Sequence, residues 1–290
     1  MKFKHIVALC FVLALSACRA DYTMDVNPDI IMFSSEEYTL GVMDSEEWLE
    51  IPISATKSVD YDRNVGVEVR WTESSAIEGL HYVVESNTVT IPKGELTTAL
   101  RIRGIAENIA VDQQLTIAFN LVLEEENISD IYGTRSEVKL QRCCKFDINN
   151  FVGYAKITST WTMQYMNSDA RLVRTELGKE KNSIVVKDMF YEGYDIEVLF
   201  DDSDPLEPMV ILPDAQVIGT TGEAFGTIYG DGKLLISEPS GYNSYFGACE
   251  NFMVLYTMMY VENVGTVGVY VNIFEWISQD EAERIMREGF

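Results

Sequence analysis

Histidine is nearly missing from this chain: of 290 residues only His5 and His81 are histidines. Zinc centres built on several histidines are therefore excluded, and any Ser-His-Asp or Cys-His site would have to use His81. Cysteine is also scarce, at five, and no Cys-x-x-Cys pair occurs, so a zinc knuckle or dithiol redox motif has no support. No glycine-rich phosphate loop of either common spacing is present; "YGDGK" at 229–233 has the spacing of a hairpin turn. Positive charge is the next shortage, with 22 Lys and Arg against 46 Asp and Glu, a formal net charge of −24. Such a surface repels phosphate backbones and anionic headgroups, which argues against nucleic acid as a partner. Long apolar runs are absent too: the longest, Ile6 to Leu15, is half of the roughly twenty residues that a membrane-spanning helix needs.

That run has a purpose of another kind. Lys2 and Lys4 precede it, and Leu15, Ser16, Ala17 and Cys18 close it. The arrangement reads as a secretory signal peptide over residues 1–18, to be set aside in fold reasoning. Its ending resembles a bacterial lipobox, in which the Cys18 thiol is acylated and becomes the new N-terminus. Several acyl chains, at about 0.8 kcal/mol per buried methylene, would hold the protein on a membrane. The expectation is a bacterial outer-membrane lipoprotein, with the periplasmic and surface leaflets left open. Asp21 is the nearest acid behind Cys18, so any acidic export tag is rudimentary. Removing the leader takes two lysines and no acids, which brings the formal charge to −26. The lipid, not surface charge, would do the anchoring.

The rest of the chain reads as all-β. In "VGVEVRWTE", Val65, Val67, Val69 and Trp71 point one way and Glu68, Arg70 and Thr72 the other; in "LTIAFNLVL", Leu115, Ile117, Phe119, Leu121 and Leu123 share one face. Shorter runs at 88–91, 99–103 and 137–140 repeat the pattern expected of half-buried antiparallel strands. After a tether at 19–28, seven to nine short strands over 29–145 fit an immunoglobulin-like sandwich. Composition changes at "KFDINNF", and 146–290 carries longer strands joined by "DSDPLEP", "YGDG" and "ENVG". This second half is expected to be an antiparallel meander, closed into a barrel or folded as another sandwich. "YAKITSTWTMQYM" is read as one strand. The chain ends in a short helix: Ser278 to Glu281 form a capping box, Ile277 and Ala282 a staple, and Ala282, Ile285 and Met286 an apolar stripe.

"SAIEGLHYVVESNTVTIPKGELTTALRIRGI" resembles the middle of a Calx-beta-like sandwich, the match resting on Gly79, Tyr82, Pro92, Gly94 and Glu95. The same arrangement is similar to that of uncharacterised Bacteroidetes-type surface lipoproteins. The resemblance covers about 120 residues and implies a sandwich behind the lipidated cysteine. Calx-beta domains can bind calcium through clustered acids at one end. Those positions find no match here, so calcium is not carried over. "FVGYAKI" is loosely similar to the start of lipocalin-type barrels, without their Gly-x-Trp.

Four features could carry function. Asp201, Asp202, Asp204 and Glu207 crowd one loop and are hard oxygen donors, but lack the spacing and glycine of a calcium loop; solvated surface is the plainer reading. Tyr242, Tyr245 and Phe246 stand in a glycine-punctuated loop beside Asn and Ser, where aromatics could stack on sugar rings or fold inward as a plug. Residues 252–261 are apolar on both faces, from a ligand cavity or from cover by the first domain or the terminal helix. Of the mature cysteines, Cys143, Cys144 and Cys249, buried free thiols are the expectation, with a bond from Cys143 or Cys144 to Cys249 the alternative. His81 is read as structural. No catalytic constellation and no cofactor are recognised. The expectation is a non-catalytic role: capture of a glycan or apolar small molecule, or contact with an envelope protein. The alternatives are a surface-assembly or adhesin component and, behind it, a carboxylate-based glycoside hydrolase; among 46 acids no pair can be singled out.

Overall fold

Branched aliphatic residues at every second position dictate the first half of the fold. The computed structural model describes residues 29–45, 47–129 and 131–290; the leader, Cys18 and the tether lie outside the described residues. Among the described residues nine strands precede residue 143: β1 (Ile31–Phe33), β2 (Glu37–Val42), β3 (Leu49–Ala55), β4 (Arg63–Val69), β5 (Tyr82–Val84), β6 (Thr88–Ile91), β7 (Thr97–Gly104), β8 (Gln114–Val122) and β9 (Arg135–Arg142). They form two sheets, ordered β1-β3-β7-β5 and β2-β9-β8-β4-β6. All pairings are antiparallel except β2 with β9, which run parallel from Glu37 opposite Glu137 to Val42 opposite Arg142. Ile51 and Ile53, Leu100 and Ile102, Val65, Ile117, Val138 and Leu140 are fully buried between the sheets. This is the expected sandwich.

Two details depart from the sequence pattern. β4 ends at Val69, and Trp71 leaves the face shared by Val65 and Val67 to stand 81% exposed in a turn. Arg63, by contrast, is buried: it pairs with Asp29 at 2.6 Å and donates to the carbonyls of Lys57 (2.8 Å) and Glu95 (2.7 Å). A buried guanidinium is tolerated only with such partners, and it ties the start of the chain to the Pro92–Glu95 turn. His81 has a local task, its Nδ1 accepting from the Ile77 N–H at 3.0 Å.

The second half closes on itself. Its strands are β10 (Gly153–Ser159), β11 (Arg171–Leu177), β12 (Ser183–Lys187), β13 (Ile196–Asp201), β14 (Met209–Ile211), β15 (Gln216–Thr220), β16 (Lys233–Ser237), β17 (Ser244–Gly247), β18 (Phe252–Val261) and β19 (Gly265–Ile277). The ring β10-β11-β12-β13-β14-β17-β18-β19 is completed by β19 pairing back to β10, Ile277 opposite Tyr154. The β15–β16 hairpin attaches to the far half of β18, Leu235 opposite Tyr260, while β17 takes the near half. The wall is therefore split along β18, and Gln216 bridges the gap through both amide atoms to the backbone of Glu197.

Eight strands leave a lumen that side chains can fill, and here aromatic rings fill it. Phe151, Phe200 and Phe246 cluster at one end with Phe146, whose ring lies 5.0–5.6 Å from theirs. At the other, Trp161 stacks on Tyr165 (4.1 Å) and meets Phe225 and Tyr270 edge-on. Asn272, fully buried, accepts from Ser159 Oγ and donates to the Leu255 carbonyl and Thr257 Oγ1.

The expected strand 154–166 ends at Ser159. The Ser159 hydroxyl accepts from the Trp161 N–H and opens α1 (Thr160–Tyr165), which carries Trp161 over the barrel end. The full reciprocal capping box belongs to α2 (Thr221–Phe225), between Thr220 and Glu223. In α3 (Gln279–Glu288) Ser278 accepts from the Glu281 N–H, but the Glu281 carboxylate turns to Arg284. α3 lies against β10. Ala282 and Ile285 are buried there, while Met286 is 56% exposed and outside the stripe.

Candidate functional site

A cleft of about 1210 Å3 lies between the sandwich and the barrel. One wall comes from the segment after β2, with Met43, Asp44 and Glu47, and from the end of β9 at Gln141 and Arg142. The other comes from the barrel loops 202–209 and 243–252. The connecting segment 143–146 forms the floor.

Three local devices hold these walls. Cys144 is bonded to Cys249, Cα to Cα 5.1 Å, which fastens the connecting segment to the β17–β18 loop. This overturns the expectation of free thiols and selects Cys144 over its neighbour. Cys143 is the free cysteine and is buried; burial, with the Asp204 carboxylate second, pushes its thiol upward from the ordinary range. A thiol so held stays protonated at neutral pH and is a poor nucleophile. Leu206 reaches back to the sandwich: a Cβ on Gly41 would stand 3.0 Å from Cys143 Sγ and 3.5 Å from Leu206 Cγ. A Cβ here would press on the Cys143 sulfur and touch Leu206, so the edge strand sits close to the loop.

The acidic loop is thus a dock. Its carboxylates do not converge: Asp201 accepts from the Ser203 N–H, Asp202 from Asn182 Nδ2, and Asp204 from the Leu206 N–H. Bonding to Ser203 holds the Asp201 carboxyl below the usual range. Among the described residues no three His, Cys, Asp or Glu side chains gather where they could hold a metal ion. Asp202 and Glu207 instead join Asp44, Glu47 and Glu250 around the cleft, against Arg142 and Lys145.

The aromatic loop divides. Phe246 is 2% exposed and packed inside the barrel, so its ring belongs to the core. Tyr245 points outward, 43% exposed, and meets Phe252 edge-on with centroids 6.1 Å apart. Met209, opposite Tyr245 in the β14–β17 pairing, adds a third apolar group. Phe252 lies across Gly247, where any Cβ would fall 2.2 Å from its ring, so glycine shapes this patch. Tyr242 packs on Tyr256 (5.2 Å), outside the cleft lining. The doubly apolar run 252–261 is explained by these contacts. Met253, Leu255, Met259 and Val261 fill the lumen, and on the outer side Phe252 and Tyr256 lie against Tyr245 and Tyr242.

Met209 and Leu206 were invisible as site residues in the sequence, and Phe252 was marked only as part of the apolar run 252–261. The signal that could have found them is the glycine at 247 opposite a bulky residue across a short turn.

Residues 131–288 match the family model described as a domain of unknown function, DUF4984. The chain belongs to that family. A search of curated proteins finds no match. Among solved structures the chain is similar to a two-domain protein of unknown function from Bacteroides fragilis, with 11% identity, 92% of each chain covered and a TM-score of 0.35. It is also similar to a protein of unknown function from Bacteroides ovatus, with 10% identity over 84% of this chain and 89% of that one and a TM-score of 0.35. The apo-form Calx CBD1 domain matches at 16% identity, covering 40% of this chain and 97% of its own, with a TM-score of 0.33.

Proposed function

We propose that this DUF4984 member is a lipid-anchored, non-catalytic binding protein of the bacterial envelope, and that its ligand is an apolar or aromatic small molecule seated in the cleft. The observation that carries this reading is the outward patch of Tyr245, Phe252 and Met209 in a cleft of about 1210 Å3. Ligand sites are concave, mostly apolar and edged by a few polar groups, with volumes of roughly 300–1,000 Å3. The carboxylate majority at the rim favours a neutral or cationic ligand over an anion. The reading omits chemistry because, among the described residues, the one histidine, His81, is tied to the Ile77 N–H and the free thiol is buried and protonated.

The test uses a dye that fluoresces on entering apolar sites. Saturable binding that falls about tenfold in Tyr245→Ala/Phe252→Ala is expected. Absence of saturable binding, or binding indifferent to both changes, would remove the cleft as a site. Anchoring is tested separately, by labelling cells with a clickable fatty acid. Label on the wild type and none on Cys18→Ala is the expected result, and an unlabelled wild type would end that part of the reading.

A further inference from the structure

The barrel core leaves one apolar face unused. Along β18 and β19, the longest strands of the barrel, Met253, Leu255, Met259 and Phe274 fill the lumen, and the alternate residues face out. These are Tyr256, Met258 and Tyr260 on β18, and Val269, Val271 and Ile273 on β19. The register sets them side by side, Tyr256 opposite Val271, Met258 opposite Val269, and Ile273 opposite Val254. Val254 is only 7% exposed yet belongs to neither core, so the outer face packs an apolar layer of its own. Val269 and Ile273 stay 43% and 39% exposed on top of it. Leu235 of β16 widens the layer beside Tyr260. At the far end of the hairpin the exposed Ile228 and Val264 continue it, the two segments meeting where a Cβ on Gly230 would lie 3.0 Å from Val264 Cγ2.

Charge is missing from the same stretch. Between Asn251 and Phe274 only Glu262, in the turn, is charged, on a chain with 46 Asp and Glu and 22 Lys and Arg. The Lys156–Glu275 pair at 3.4 Å marks a polar border on the β10 side. Ten residues at about 3.3 Å each, across three strands about 4.8 Å apart, give the strip an apolar area of about 460 Å2. One side of a standard protein interface buries about 800 Å2, of which roughly three-fifths is apolar and the rest polar rim. The strip has the apolar centre that one such side needs.

We infer that the outer face of the β18–β19 hairpin is a two-fold interface between two copies of this chain. Two chains of formal charge −24 repel wherever their carboxylates meet, and the repulsion is least across a strip that carries none. In a two-fold contact the same patch meets itself, and an uncharged apolar strip with a polar border is complementary to its own copy. A different protein would be steered and selected by charge set against charge, which this strip does not offer. Tyr256 and Tyr260 suit the centre of such a contact, where aromatic residues are enriched. None of the strip's residues lines the cleft, so the inference is independent of the ligand reading.

The experiment is sedimentation velocity of the chain freed of its leader, residues 19–290, between about 1 and 100 μM. A concentration-dependent dimer with a Kd of about 10 μM is expected. Val269→Glu and, separately, Ile273→Glu should each weaken it at least about tenfold, because each buries an unpaired charge in the contact. Both side chains are exposed in the single chain, so melting of the two variants at low concentration should be unchanged. Leu177→Glu, at an exposed apolar position on β11, should leave the dimer unaltered. A monomer at every concentration, a dimer that survives both Val269→Glu and Ile273→Glu, or an equal loss in Leu177→Glu would overturn the inference. So would a monomer that binds phosphatidylethanolamine vesicles through Val269 and Ile273, which would assign the strip to a lipid surface.

Discussion

The two bodies solve the same packing problem with different residues. Between the sheets of the sandwich the buried set is almost wholly aliphatic, with Phe33, Tyr82 and Phe119 as its aromatics. Inside the barrel it contains Phe151, Trp161, Phe190, Phe200, Phe246, Tyr270 and Phe274. Two facing sheets pack about 10 Å apart, a gap that branched aliphatics from both sides fill. A closed barrel leaves a wider lumen with two open ends; here Met253, Leu255, Met259 and Val261 share the middle with large rings, and rings plug both mouths. Trimming a ring removes more buried volume than trimming an aliphatic side chain. The plug also explains the cleft, because Phe146 and Phe246 enter the barrel from the two segments that the Cys144–Cys249 bond joins.

The comparison breaks most visibly at the plug. Phe151→Ala should cost about 3–5 kcal/mol, whereas Ile53→Val in the sandwich should cost about 1 kcal/mol. Urea denaturation followed through Trp161 and Trp276 reports the barrel. A Phe151→Ala loss no larger than that of Ile53→Val would contradict the account of the two cores. Next comes the disulfide: Cys144→Ser/Cys249→Ser opens a link across 105 residues and should destabilise by about 2–4 kcal/mol. Calorimetry with and without reductant checks it, and the variant should be insensitive to reductant. Third, Asn272→Ala strands Ser159 Oγ, the Leu255 carbonyl and Thr257 Oγ1 inside the barrel, at a cost of about 2–3 kcal/mol, with Asn272→Asp as the informative companion in the same urea measurement.

The smallest expected effect sharpens the sandwich side. Burial, and then the Glu78 charge, push the Tyr82 phenol up to about 12. A folded-state pKa above the unfolded one contributes stability that is complete below the ordinary tyrosine range. That contribution is lost as pH rises from there towards 12. Alkaline titration of the melting temperature should show this decline, of order 2 kcal/mol, and Tyr82→Phe should flatten it.

Much of the sandwich was legible because one face of each strand is wet. Val67 and Val69 flank Glu68, and Leu115 and Ile117 flank Thr116, an alternation that announces their direction. The barrel was less so. "YAKITSTWTMQYM" is uniformly strand-like, and only the Ser159 cap turns it into helix to place Trp161. β17 hid in a loop marked by glycines, whose three aromatics could face out or plug inward; Phe246 plugs the lumen while Tyr245 and Tyr242 face out. The acidic loop read chiefly as solvated surface, and what the pattern did not show is Leu206, which lies near Gly41 of a strand far away in the chain.

The sequence by itself determined the strand-built character and the acidity, because composition and period-two patterning are local properties of a chain. Tertiary structure alone decided which cysteine pairs, which aromatics face water, and where the cleft opens. Those depend on residues far apart in the chain, 105 positions for Cys144 and Cys249, being brought within a few ångströms, and no local pattern encodes such a meeting.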